Sequence, residues 1–157
     1  MKPNLLAASA ALCLLASLAP VLAQAPAQPP QPEFIQQGQQ LLREGKQEEA
    51  LALYRKTLEA APDSIPALVA AGSVLDLLGR GEEARTYFQK AIAAAGTPEQ
   101  KAAAQRQTAM SYAFESNCAK ASEYLRQVFE YQAGQKNFFQ QGEIANEAAR
   151  VCLESGD

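Results

Sequence analysis

Apolar side chains fall on a helical period, in pairs of short segments. Phe34, Leu41 and Leu42 are spaced to share one face of a helix, and Gly45 follows as a residue able to end it in a left-handed conformation. Ala50, Leu51, Tyr54 and Leu58 mark a second amphipathic helix, closed off by Pro62. The same cadence returns 34 residues later. Gly45 is matched by Gly79, Glu48 and Glu49 by Glu82 and Glu83, Ala50 by Ala84, Tyr54 by Phe88, Lys56 by Lys90, and Leu58 by Ile92. One copy predicts a helix hairpin with apolar residues on more than one side. Such a hairpin cannot cover them alone; stacking equivalent hairpins does, which is the physical reason for a repeat.

Small residues indicate how closely the helices approach. Gly38 and Ala50 stand 12 positions apart, as do Gly72 and Ala84, and Ala109 and Ala121. Across a short turn these positions face one another, and a larger side chain would push the axes apart. Caps support the boundaries. "TPEQ", Thr97 to Gln100, is a capping box with proline at the first helical position. Ser64 ahead of Pro66 starts a helix in much the same way, and Asn117 or Ser116 is expected to cap one running to about Ala133. A seventh helix is predicted from near Asn137. With Gly156 set at a turn, Ala149 falls where Gly38, Gly72 and Ala109 fell. That helix is either a terminal cap or the first helix of a fourth hairpin in a longer array. Glu143, Asn146, Glu147, Arg150 and Glu154 form its polar side, and Ala145, Ala148, Ala149 and Cys152 its small apolar side.

These positions resemble the tetratricopeptide repeat. Gly38, Leu41, Gly45, Ala50, Tyr54, Thr57 and Pro62 follow its pattern in a first repeat over about 31–64. Gly72, Leu75, Gly79, Ala84, Phe88 and Ala91 follow it in a second over about 65–98, with the closing proline displaced to Pro98. A weaker third, over about 102–135, has Ala109, Tyr112, Ser116, Ala121, Leu125 and Val128. About three inserted residues precede it, so one helix is expected to be longer, and the terminal helix covers about 137–155. Phe34, Leu68 and Gln105 occupy the place of the family's leading tryptophan. The resemblance implies an all-α fold: a right-handed superhelical solenoid of antiparallel hairpins over residues 33–157.

The remaining composition narrows the function. With 48% hydrophobic and 20% charged residues, the chain suits one soluble globular domain once any processed segment is removed. A net charge of −3 with no basic stretch argues against nucleic acid as a partner. No histidine is present, which excludes Ser-His-Asp and Cys-His nucleophiles and the usual zinc sites; three cysteines cannot make a four-thiolate site. The Glu48-Glu49 and Glu82-Glu83 pairs sit in first helical turns, where the dipole favours them, and are not read as acid–base dyads. No enzyme, metal or cofactor is expected.

Lys2, the apolar run Leu5 to Leu18, Pro20 and small residues at Val21 and Ala23 read as a secretory signal over 1–23, with cleavage after Ala25 as a second choice and an uncleaved anchor as the alternative. Leu12 before Cys13 argues against a lipid anchor. Residues 24–32, with four prolines and no charge, read as an extended spacer. The expected location is therefore periplasmic or secreted, with no membrane span once the signal is removed.

The resemblance also implies a concave surface lined by the first helix of each hairpin. Its groove positions carry over to Ile35, Gln39 and Leu42; to Val69, Ser73 and Asp76; to Arg106, Met110 and Ala113; and to Asn146, Arg150 and Leu153. This mixed lining suits an extended peptide or a partner helix. The lysine–asparagine clamp by which chaperone-binding members hold a peptide carboxylate is replaced by Ile35, Gln39, Ala70, Ala103 and Gln107. Cys118 begins one helix and Cys152 lies near the end of the antiparallel next; they form either a disulfide or two buried thiols. The expected function is a protein–protein adaptor or assembly scaffold of a bacterial cell envelope. The alternatives are a helical accessory domain of an enzyme and a subunit that self-associates through its last helix.

Overall fold

A computed structural model describes residues 30–155. The expected signal over 1–23, the spacer as far as residue 29 and the turn at Gly156 lie outside the described residues. Among those residues there are seven helices and no strand. They are α1 (Glu33–Arg43), α2 (Gln47–Ala60), α3 (Ile65–Leu77), α4 (Gly81–Ala94), α5 (Pro98–Phe114), α6 (Cys118–Gly134) and α7 (Phe138–Ser155). Each packs on the next, and α3 also meets α1 and α5, so the chain forms a solenoid of stacked hairpins. The longer helix expected near the third repeat is α5, with 17 residues against 11 in α1 and 13 in α3.

The turns within hairpins share one hydrogen-bond pattern. After α1, Lys46 N–H donates to the Leu41 carbonyl and Gly45 N–H to that of Leu42; after α3, Arg80 and Gly79 repeat this on Leu75 and Asp76. The motif needs one left-handed residue. Gly45 (φ 74°) and Gly79 (φ 72°) supply it in the first two hairpins, and Ser116 (φ 55°) in the third. Lys136 (φ 56°) does the same at the end of α6.

Two of the three expected caps act. Thr97 Oγ1 accepts from Gln100 N–H at 3.2 Å, while the Gln100 side chain reaches Gly96 N–H, one residue before the cap. Asn117, not Ser116, caps α6 through Lys120 N–H. Ser64 precedes α3 without a side-chain cap bond.

Close approach explains the small residues. A Cβ on Gly38 would collide with the hydroxyl end of Tyr54, and one on Gly72 with the edge of the Phe88 ring. Each ring plugs a socket that only glycine leaves open. Tyr54 and Phe88 are buried with Ala50, Leu51, Ala71, Val74, Leu75 and Ala84 in one core spanning α2 to α4. Burying a large side chain of this kind contributes about 1.5–3 kcal/mol. A second core joins Ala102 and Ala109 of α5, Leu125 and Val128 of α6, and Ile144 of α7.

The buried residues of α7 are Ile144 and Val151, not the small apolar side read from the sequence. Ala145 and Ala149 are exposed, and Ala148 and Cys152 half-buried. In earlier hairpins the Ala149 position is covered by the second helix of the same hairpin. Among the described residues no such helix follows α7, whose buried face is turned to α6 instead. Cys118 and Cys152 are joined as a disulfide, Cα–Cα 4.8 Å, linking the start of α6 to the end of α7.

Candidate functional site

The groove residues inferred from the repeat separate into two groups. Arg106, Met110, Ala113, Asn146 and Arg150 are brought together around a hollow of about 410 Å³ between α5 and α7. Phe114, Glu143, Glu147, Val151 and Glu154 complete the lining. Ile35, Gln39, Leu42, Val69, Ser73 and Asp76 do not line this hollow, and neither does Leu153, which is exposed. Ile35 and Leu42 give part of their surface to the first core, and Val69 to a cluster around Leu68, Ala91 and Ala104. Gln39 is exposed and Ser73 half-buried.

The two arginines of the hollow differ. Arg106 is engaged: its Nη2 lies 2.8 Å and its Nε 3.0 Å from one oxygen of Glu147, whose side chain is only 17% exposed. Arg150 is 79% exposed and lies 3.9 Å from Glu154, a contact of little energetic weight. Arg150 is thus the cation free to meet a ligand, whereas Arg106 ties α5 to α7. Glu143 and Glu154 give the rim negative charge.

Sequence reasoning missed Phe114, which is 67% exposed on the edge of the hollow. Leu77, 61% exposed, holds the corresponding last-turn position of α3. The available signal was a bulky apolar residue recurring in the last turn of first helices, where α1 has Arg43.

Asp76 serves the stack rather than the hollow. Its carboxylate accepts a hydrogen bond from the fully buried Ser111 hydroxyl at 2.8 Å. Arg85 donates to the same hydroxyl at 3.4 Å, pairs with Glu115 at 3.0 Å, and lies 4.5 Å above the Tyr112 ring. These contacts join α3, α4 and α5. Burial holds the Asp76 carboxyl above the usual aspartate range, against the opposing pull of Ser111 and Arg85, and Glu115 adds to the rise. A raised acid binds its proton in the folded state after the unfolded chain has released it. Stability therefore falls as pH rises from the ordinary aspartate range to the raised value, and this group adds no pH dependence above it. Asp76→Asn should remove that fall. Thermal unfolding of the two proteins across acid pH checks this; parallel profiles would show that Asp76 does not contribute.

Stacked hairpins with open first-helix faces make this a helical-repeat scaffold. Residues 41–106, from the end of α1 into α5, match the tetratricopeptide repeat family. Over that stretch the chain carries tetratricopeptide repeats. That repeat is a protein–protein interaction module, typically without catalytic activity. The sequence matches no curated protein. Among the described residues no helix is long and apolar enough to cross a membrane.

Proposed function

We propose that this protein is an exported adaptor of a bacterial cell envelope, and that it binds an extended peptide or a partner helix in the hollow between α5 and α7. The observation that carries this reading is the pairing, on one rim, of the exposed apolar side chain of Phe114 with the weakly engaged cation of Arg150. An apolar anchor beside a charge suits a segment presenting one large apolar side chain next to an acidic one. Half-buried Met110 gives the floor an adaptable apolar surface. The signal-like first 23 residues support export, and the Cys118–Cys152 bond fits an oxidising compartment.

Selection from a random peptide library displayed against the purified protein tests the hollow. Enriched peptides should carry an aromatic or large aliphatic residue beside Asp or Glu. Phe114→Ala should weaken them about tenfold or more, as expected of an anchor worth at least ~1.4 kcal/mol. Arg150→Glu should remove the preference for the acidic residue. Enrichment of no consistent sequence, or equal binding by both variants, would contradict the assignment. For export, the mass of the protein recovered from a bacterial envelope fraction should correspond to a chain beginning at Gln24 or, by the second cleavage choice, at Pro26.

A further inference from the structure

Arg106 lines two hollows, not one. The second, of about 290 Å³, lies between the first half of α5, the last turns of α6 and the start of α7. Its floor is apolar: Ala102, Val128 and Ile144 are buried there. Gln107, Gln132 and Gln140 also line it, and all three are half-buried. None of these three side-chain amides has a hydrogen-bond partner among the described residues. Gln105, also on α5, is by contrast bonded to Gln127.

The chemistry of this second hollow selects the kind of chain that fits it. Arg106 stands at the junction of the two. Its Nε and Nη2 are held by one oxygen of Glu147, which leaves Nη1 without a partner among the described residues. Glu147 balances the charge of Arg106, and Glu99, which is exposed, is the only other charged residue in the lining. The hollow therefore makes little demand on the charge of what enters it. A glutamine amide offers two donors and an acceptor oxygen, so it suits a group that both gives and accepts hydrogen bonds. The main-chain peptide unit is such a group. A helix bonds those units to one another and would leave the three amides unpaired against it. An extended chain presents them at every residue.

We propose that the occupant of the first hollow is an extended segment rather than a helix, and that it continues past Arg106 into the second hollow, where Gln107, Gln132 and Gln140 hydrogen-bond its main chain. This rests on the reading of the first hollow as a peptide site. At the crossing, Arg106 Nη1 donates to a main-chain carbonyl of the segment. The floor formed by Ala102, Val128 and Ile144 takes one aliphatic side chain. From Phe114 back to Glu99, α5 rises about 22 Å, a distance that an extended chain covers in about seven residues. Ala102 lies about 18 Å from Phe114 along the same helix, so the aliphatic residue stands about five positions from the large apolar one that meets Phe114. The acidic preference belongs to the first hollow alone, because Arg150 lines that one and not the second.

Fluorescence anisotropy with the purified protein tests this. The probe is a labelled peptide enriched from the random library, compared with a version cut back to its apolar–acidic pair and their immediate neighbours. Gln132→Ala and Gln140→Ala should each weaken the full peptide by about three- to tenfold, the effect of one lost hydrogen bond, and leave the cut version unchanged. Helical circular dichroism should be the same in both variants as in the wild type. N-methylation of single peptide amides should weaken the wild type most at positions about five residues from the apolar anchor. Equal affinity of the full and cut peptides, full affinity in both glutamine variants, or enriched peptides whose apolar residues recur at helical spacing overturns the inference while Phe114→Ala still weakens binding. Phe114→Ala without effect, or no enriched peptide at all, instead removes the reading of the first hollow and this inference with it.

Discussion

Phe88→Ala is expected to cost about 3–5 kcal/mol of unfolding free energy, the range for emptying a fully buried aromatic site. Phe88 has no solvent exposure and fills the space beside Gly72, so its removal leaves a cavity at the centre of the first core. The complementary change gives the sharper test. Gly72→Ala places a methyl where the ring stands and should cost about 1–3 kcal/mol by overpacking. If the ring and the glycine are a plug and its socket, a smaller plug should relieve the added methyl. Gly72→Ala combined with Phe88→Leu should therefore be less destabilised than the two single changes summed, by about 1 kcal/mol or more. Urea unfolding of the four proteins measures this. Additive costs would mean that the ring and the glycine do not meet.

The second large effect concerns the terminal helix. The Cys118–Cys152 bond closes a loop with a sequence separation of 34 residues, for which the chain-entropy relation gives about 4 kcal/mol. Stability in a solenoid comes from nearest-neighbour contacts, so the loss should fall mainly on the end it secures. Reduction, or Cys152→Ser, should leave α1 to α4 protected while amide exchange in α7 accelerates by several orders of magnitude. The unreduced protein should show no free thiol among residues 118 and 152 after denaturation. Two free thiols there, or exchange in α7 unaffected by reductant, would remove the bond from the account. The consequence for binding is direct, because α7 forms one wall of the hollow. Reduction should weaken any peptide held there, although both cysteines lie outside the lining.

Most of the fold was legible in the sequence because the repeat states each element twice. Tyr54 and Phe88, one interval apart, mark the same plug, and Gly38 and Gly72 the same socket. Gly45 and Gly79 end the first helices for a reason that backbone geometry alone supplies. The third hairpin was fainter because Ser116 adopts the left-handed conformation that glycine adopts earlier. The site was half legible. Arg106, Met110, Asn146 and Arg150 do meet, since family positions carry over where the helices stack regularly. Asp76 shows what spacing leaves out: its position suggested the groove, and Ser111, 35 residues on, holds its carboxylate by a hydrogen bond. The neutralisation of Arg106 could not be anticipated, because Glu147 lies 41 residues away and looked like part of a polar outer side. The sides of α7 were hidden for a related reason. Its polar residues suggested a solvated cap, yet Glu147 turns inward while Phe138 and Leu153 are exposed.

The central functional claim is that a partner segment lies in the hollow between α5 and α7. Backbone amide shifts of the isotope-labelled protein, followed by nuclear magnetic resonance during titration with a selected peptide, test it most directly. Changes concentrated in 106–114 and 143–154, with α2 and α4 unperturbed, are the predicted result. Changes centred on α2, α4 or the outer side of α6, or none at saturating peptide, would contradict it.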